Sequence, residues 1–149
     1  MKYIYITIMT CFVVFLLTSC SDSLATQNFD MLIVKRKDPL HQSNTGFEKS
    51  IQDKAVVKKL YEKIISLPPF PQGSIHCPND NGVEYELTFT LASKSISKAM
   101  VRATGCQGVT MNEKTYWAIE PKGSGFRALL EHALRLNDDE FMGWVASRS

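Results

Sequence analysis

The sequence lacks an excess of charge of either sign. Seventeen Lys and Arg stand against 15 Asp and Glu, a formal net charge of +2. A nucleic-acid binder carries a basic stripe, so this balance argues against DNA or RNA as a partner. No internal repeat, low-complexity tract or Pro/Gly-rich linker interrupts the chain, which argues for one domain. No apolar run matches the roughly 20 residues of a spanning helix. Histidine is scarce: there are three, His41, His76 and His132, and none falls at an HxH, HxxxH or HExxH spacing. The usual arrangement of zinc ligands is therefore missing. A Gly-x-Ser-x-Gly elbow and a phosphate-cradling glycine loop are missing too. Together these absences predict a protein without a bound metal, a cofactor or a catalytic activity.

What is present starts with an address. Lys2 is followed by an uncharged stretch whose centre, Phe12-Val13-Val14-Phe15-Leu16-Leu17, is solidly apolar. A positive start, a short apolar run and a small residue before the cut describe a secretory signal. Leu17-Thr18-Ser19-Cys20 resembles a bacterial lipobox. That resemblance implies a diacylglyceryl thioether on Cys20 and cleavage between Ser19 and Cys20. Two or more acyl chains give stable anchoring where one is marginal, at about 0.8 kcal/mol per buried methylene. An ordinary cleaved signal and an uncleaved single-span anchor are the alternatives. The expected organisation is a signal peptide over 1–19, a polar tether over 20–28, and a single domain over 29–149.

Within the domain, 29–37 reads as a first strand and 47–51 as a short second one. Asp53 is a good N-cap for a helix. Val57, Leu60, Tyr61 and Ile64 recur at i, i+3, i+4 and i+7, and Pro68-Pro69 stops it. The stretch 83–91 alternates. Val83, Tyr85, Leu87, Phe89 and Leu91 are expected inward, and Glu84, Glu86, Thr88 and Thr90 outward, on an antiparallel strand with one wet face. Strands follow at 96–104, 109–111 and 115–119. An amphipathic helix at 124–136 carries Phe126, Leu129, Leu130, Ala133 and Leu134. A last turn is expected to pack back through Phe141 and Trp144. The predicted fold is α+β: an antiparallel sheet of about five strands with two amphipathic helices packed on one face.

Cysteine usage fits that location. Once Cys11 leaves with the signal and Cys20 carries lipid, Cys77 and Cys106 remain as an even pair outside the membrane. A disulfide is expected there. Closing a loop of roughly 30 residues is worth about 3–4 kcal/mol in the loop-entropy account. A site of His76, Cys77 and Cys106 is the metal alternative, with poor ligand spacing.

Leu67-Pro68-Pro69-Phe70-Pro71, Cys77-Pro78, Gly82, Tyr85-Glu86-Leu87-Thr88-Phe89, and Thr104-Gly105-Cys106 with Val109 resemble a group of small lipoprotein domains of Gram-positive bacteria. That resemblance supports pairing Cys77 with Cys106 and brings no activity with it.

Two candidate surfaces emerge. The segment 68–82 holds four prolines and the expected crosslink, which lower the ordering cost of binding. Phe70 and Ile75 are its apolar anchors, with Phe70 packed beneath the domain as the alternative. The second surface is the wet strand face with Glu84 and Glu86. The functional expectation is a lipid-anchored, extracytoplasmic, non-catalytic binding domain, held to the cell membrane through Cys20. Its partner would be an envelope protein or a small ligand. A protease inhibitor or immunity-type protein presenting 68–82 is one alternative. A hydrolase or metal-dependent enzyme using His76, Asp80, Glu84 and Glu86 is another.

Overall fold

The computed structural model describes residues 28–39, 47–77 and 79–144. The signal segment, Cys20 and most of the tether lie outside the described residues, as does Pro78. No helix among the described residues is long and apolar enough to cross a membrane.

The domain is α+β, with six strands rather than about five. They are β1 (Met31–Lys37), β2 (Glu48–Ile51), β3 (Glu84–Leu91), β4 (Lys94–Arg102), β5 (Gly108–Met111) and β6 (Lys114–Trp117). They form one antiparallel sheet in the order β2-β1-β3-β4-β5-β6. Three short helices accompany it: α1 (Lys54–Ile65), α2 (Phe126–Leu134) and α3 (Asp138–Met142).

Each helix has a local reason to start where it does. The Asp53 carboxylate accepts from the Ala55 and Val56 amides at 2.9 and 3.2 Å, satisfying donors that the first helical turn leaves orphaned. Val57, Leu60, Tyr61 and Ile64 then face the sheet as predicted. Helix α2 follows Gly125, whose amide donates to the Glu120 carboxylate at 2.7 Å. Helix α3 opens with a capping box between Asn137 and Glu140, and its acidic first turn suits the positive end of the helix dipole.

The core lies between these helices and one face of the sheet. Phe29 sits 4.6 Å from Tyr61 and 5.2 Å from Phe89, ring centre to ring centre. At the other end of β3 the Tyr85 ring stacks on Phe141 at 4.6 Å, and its hydroxyl donates to the Phe141 carbonyl at 2.9 Å. Burial pushes the Tyr85 phenol well above its ordinary range. Across the strand from Tyr85, Arg36 pairs with Asp38 in a buried ion pair. Arg36 also donates to the Glu140 carbonyl at 2.7 Å. These contacts dock α3. Trp144 departs from expectation: it is 49% exposed. Gly143, at φ +74, packs so closely on Val83 that a Cβ there would approach it to 2.6 Å.

A second departure is at the end of β3. Phe89 pairs with Ser97 and Thr90 with Ser95, so Ile96 is an extra residue on β4. This bulge re-aims the side chains around it. Thr90 is buried and donates to Asp30 at 3.1 Å, whereas Leu91, expected in the core, is 45% exposed.

The segment after α1 also joins the sheet. The Trp117 amide donates to the Pro68 carbonyl at 2.8 Å and the Phe70 amide to the Thr115 carbonyl at 2.9 Å. Residues 68–70 thus lie antiparallel along the outer edge of β6.

Candidate functional site

The helices cover one face of the sheet, and no helix packs on the other among the described residues. Register assembles that open face row by row. One row runs Lys37, Glu84, Arg102. The next runs Glu48, Lys35, Glu86, Met100, Thr110, Thr115. A third holds Ser50, Ile33, Thr88 and Lys98. Period-two alternation puts these residues together, opposite the buried set Leu32, Val34, Tyr85, Leu87, Ala99 and Val101.

The expected Glu84 and Glu86 are here, each beside a cation. Arg102 lies 3.7 Å from Glu84, and the Lys98 ammonium donates to Glu86 at 2.9 Å. That hydrogen bond holds the Glu86 carboxyl below its usual range, against the opposing pull of partial burial. Lys35 pairs with Glu48 at 3.4 Å on the same face. A shallow depression of about 210 Å³ is lined by Glu86, Lys98, Met100, Thr110 and Asn112. That is below the roughly 300–1,000 Å³ of pockets that enclose small ligands.

Phe70 belongs to this face too. A Cβ placed on Gly108, whose neighbour Val109 points into the core, would meet the Phe70 ring at 3.5 Å and the Thr115 methyl at 3.6 Å. Trp117 pairs with Gly108, and its ring centre is 6.3 Å from that of Phe70. The Lys122 ammonium lies 4.5 Å above the indole, a cation–π contact. Gly108 lies beneath the Phe70 ring on the sheet. Phe70 is half-buried there, neither free in a loop nor part of the core. The Trp117 indole N–H is buried with no acceptor among the described residues, which costs about 1–3 kcal/mol. Sequence reasoning missed Trp117, Lys122, Met100, Lys98 and Arg102. The alternation within 96–104 carried a signal for the last three. Nothing local announced that Trp117 meets Phe70.

Ile75 is half-buried and stands apart from this aromatic corner. Its carbonyl lies 4.0 Å from the Cys77 sulfur. Cys77 is joined to Cys106 by a disulfide, with Cα atoms 4.9 Å apart. The crosslink sits at the end of the sheet where β3 starts and β4 finishes. There Thr104, buried, places its hydroxyl 3.0 Å from Asp80 and 2.7 Å from Asn81. The Asn81 amide group donates to the Met142 carbonyl at 2.6 Å. Asp80 therefore serves the loop's own geometry. His76 is exposed. Among the described residues no three His, Cys, Asp or Glu side chains gather closely enough to hold a metal. No family model, curated protein or solved structure matches this chain.

Proposed function

We propose that this chain is a lipid-anchored, extracytoplasmic protein whose domain works by binding, without catalysis, through the open face of its sheet. The observation that carries the reading is the aromatic corner of Phe70 and Trp117, continuous with an uncovered strip of Glu84, Arg102, Glu86, Lys98 and Met100. Aromatic anchors ringed by polar pairs are where recognition energy concentrates. The depressions along the face, beside Met100 and beside Lys37 and Glu84, are open and shallow, which supports a macromolecular partner of the envelope over a small molecule. The anchor rests on the lipobox-like Leu17-Thr18-Ser19-Cys20.

Both halves are testable. Metabolic labelling with a fatty acid should mark the wild-type protein, and Cys20→Ala should abolish the label and release the protein from the membrane fraction. Identical fractionation with no label in either form removes the anchor. For the surface, envelope material is captured on the wild-type protein and on Phe70→Ala. A fall in capture of about tenfold or more is expected for an aromatic hot spot. Equal capture by both moves the binding surface elsewhere. The inhibitor-type reading keeps one supporting observation: Gln72, Gly73, Ser74 and His76 are exposed just before the crosslinked Cys77. Capture that survives Phe70→Ala but is lost on replacing residues 72–76 would favour it.

A further inference from the structure

The sheet has two distinct ends, and the chain from Cys20 enters at one of them. Asp30 sits beside the β3–β4 turn: its amide donates to the Thr90 carbonyl at 2.9 Å, and its carboxylate accepts from the Ala92 amide at 2.7 Å. Asn28, Phe29, Lys54, Lys58 and Leu91 line one depression there. Only the seven residues 21–27 separate Cys20 from Asn28, and the eight Cα–Cα steps between them span at most about 28 Å when fully extended.

The same end carries two of the three large apolar side chains exposed among the described residues, Leu91 and Ile96, at 45% and 44%. Leu91 lies at the end of β3, beyond the cover of α1, and Ile96 is left unpaired by the bulge. Lys94 lies between them at the hairpin tip, and Lys54 and Lys58 occupy the start of α1. Acids share this end: Asp30 accepts from Thr90 and Ala92, Asp53 caps α1, and Glu62 lies 3.7 Å from Lys58. The hairpin tip therefore carries two apolar side chains and Lys94, and the rim around it carries charges of both signs. An aqueous surface gains nothing from that arrangement. A bilayer interface suits the tip, with side chains like these entering the acyl boundary and the Lys94 ammonium staying among the phosphates.

We propose that the bulged β3–β4 hairpin is a second membrane contact, with Leu91 and Ile96 in the bilayer interface and Lys94 at the headgroups. It fixes the orientation of the domain. This rests on the lipid-anchor reading and adds to it. The eight residues of β3 span roughly 27 Å, so the disulfide end is held that far out and points away from the membrane.

The test uses protein carrying Ile96→Trp, purified from the membrane fraction and reconstituted into vesicles of phosphatidylcholine and phosphatidylglycerol brominated on the acyl chains. Fatty-acid label is counted in the same preparation. Label with strong quenching of the position-96 emission, against unquenched Trp117 and Trp144 in wild type, is the expected result. Adding Leu91→Ser and Lys94→Glu should lower the embedded population by about tenfold or more. These positions are exposed, so the changes open no cavity. Label with an unquenched position 96 overturns the second contact and leaves the anchor standing. Absence of label overturns the anchor, and this inference with it.

Discussion

The Arg36–Asp38 pair shows how much one buried contact can hold. Arg36 is fixed by Asp38 on one side and by the Glu140 carbonyl on the other, so it ties β1 to the last helix. Removing one member of a buried ion pair typically costs about 3–5 kcal/mol, because the other charge stays desolvated. Arg36→Met should lose stability of that order in a denaturant titration, with exposure of Trp144 unchanged. Tyr85 gives a residue-scale prediction in pH. Its phenol is held above the ordinary range by burial, an effect that the nearby Arg36 opposes. A group whose pKa is raised on folding contributes stability that is complete below its unfolded pKa and declines above it. The melting temperature should therefore fall as pH rises past about 10, the unfolded tyrosine value. Tyr85→Phe should flatten that part of the profile while costing about 1 kcal/mol at neutral pH for the lost hydrogen bond. An unchanged alkaline slope in Tyr85→Phe would assign the titration to other groups.

At the scale of elements, the disulfide and the 68–70 segment do different work. Cys77–Cys106 closes the loop ahead of β3 onto the turn after β4. Cys77→Ser should cost about 2–5 kcal/mol, and alkylation of the denatured, unreduced protein should leave Cys77 and Cys106 unlabelled. Phe70→Ala should fall between the exposed and the core cases, at about 2 kcal/mol, since its half-buried ring covers Gly108. A loss above about 4 kcal/mol would instead mark it as core. These elements also show what a sequence can announce. Helix α1 was legible because Asp53, the Val57–Leu60–Tyr61–Ile64 stripe and Pro68 are local signals. The even cysteine pair and the alternation of β3 were legible for the same reason. The place of β1 between β2 and β3 was not, because strand order depends on contacts remote in sequence. The bulge at Ile96 was hidden too: nothing in Ser95-Ile96-Ser97 distinguishes an inserted residue from an alternating one. Half the candidate site suffered likewise, since Phe70 and Trp117 come together only when residues 68–70 join β6.

At the scale of the whole molecule, polar pairs cover one sheet face and the core fills the other. Exposed pairs such as Glu84–Arg102 contribute only about 0–1 kcal/mol. Exchanging the two, Glu84→Arg with Arg102→Glu, should leave the denaturation midpoint nearly unchanged. If the open face is the recognition surface, partner capture should nonetheless fall, and equal capture would remove this strip from the site. The pairing of residues 68–70 along β6 has a consequence at this scale as well. Proteins at high local density meet far more often than they would in dilute solution. A bare strand edge at such density is a template on which neighbours can stack, sheet upon sheet, into fibres. Here that edge is occupied by a strip containing Pro68 and Pro69, two residues with no amide hydrogen to offer the next chain. The ladder that begins at β2 therefore terminates within its own molecule on this side, and crowding does not extend it past β6.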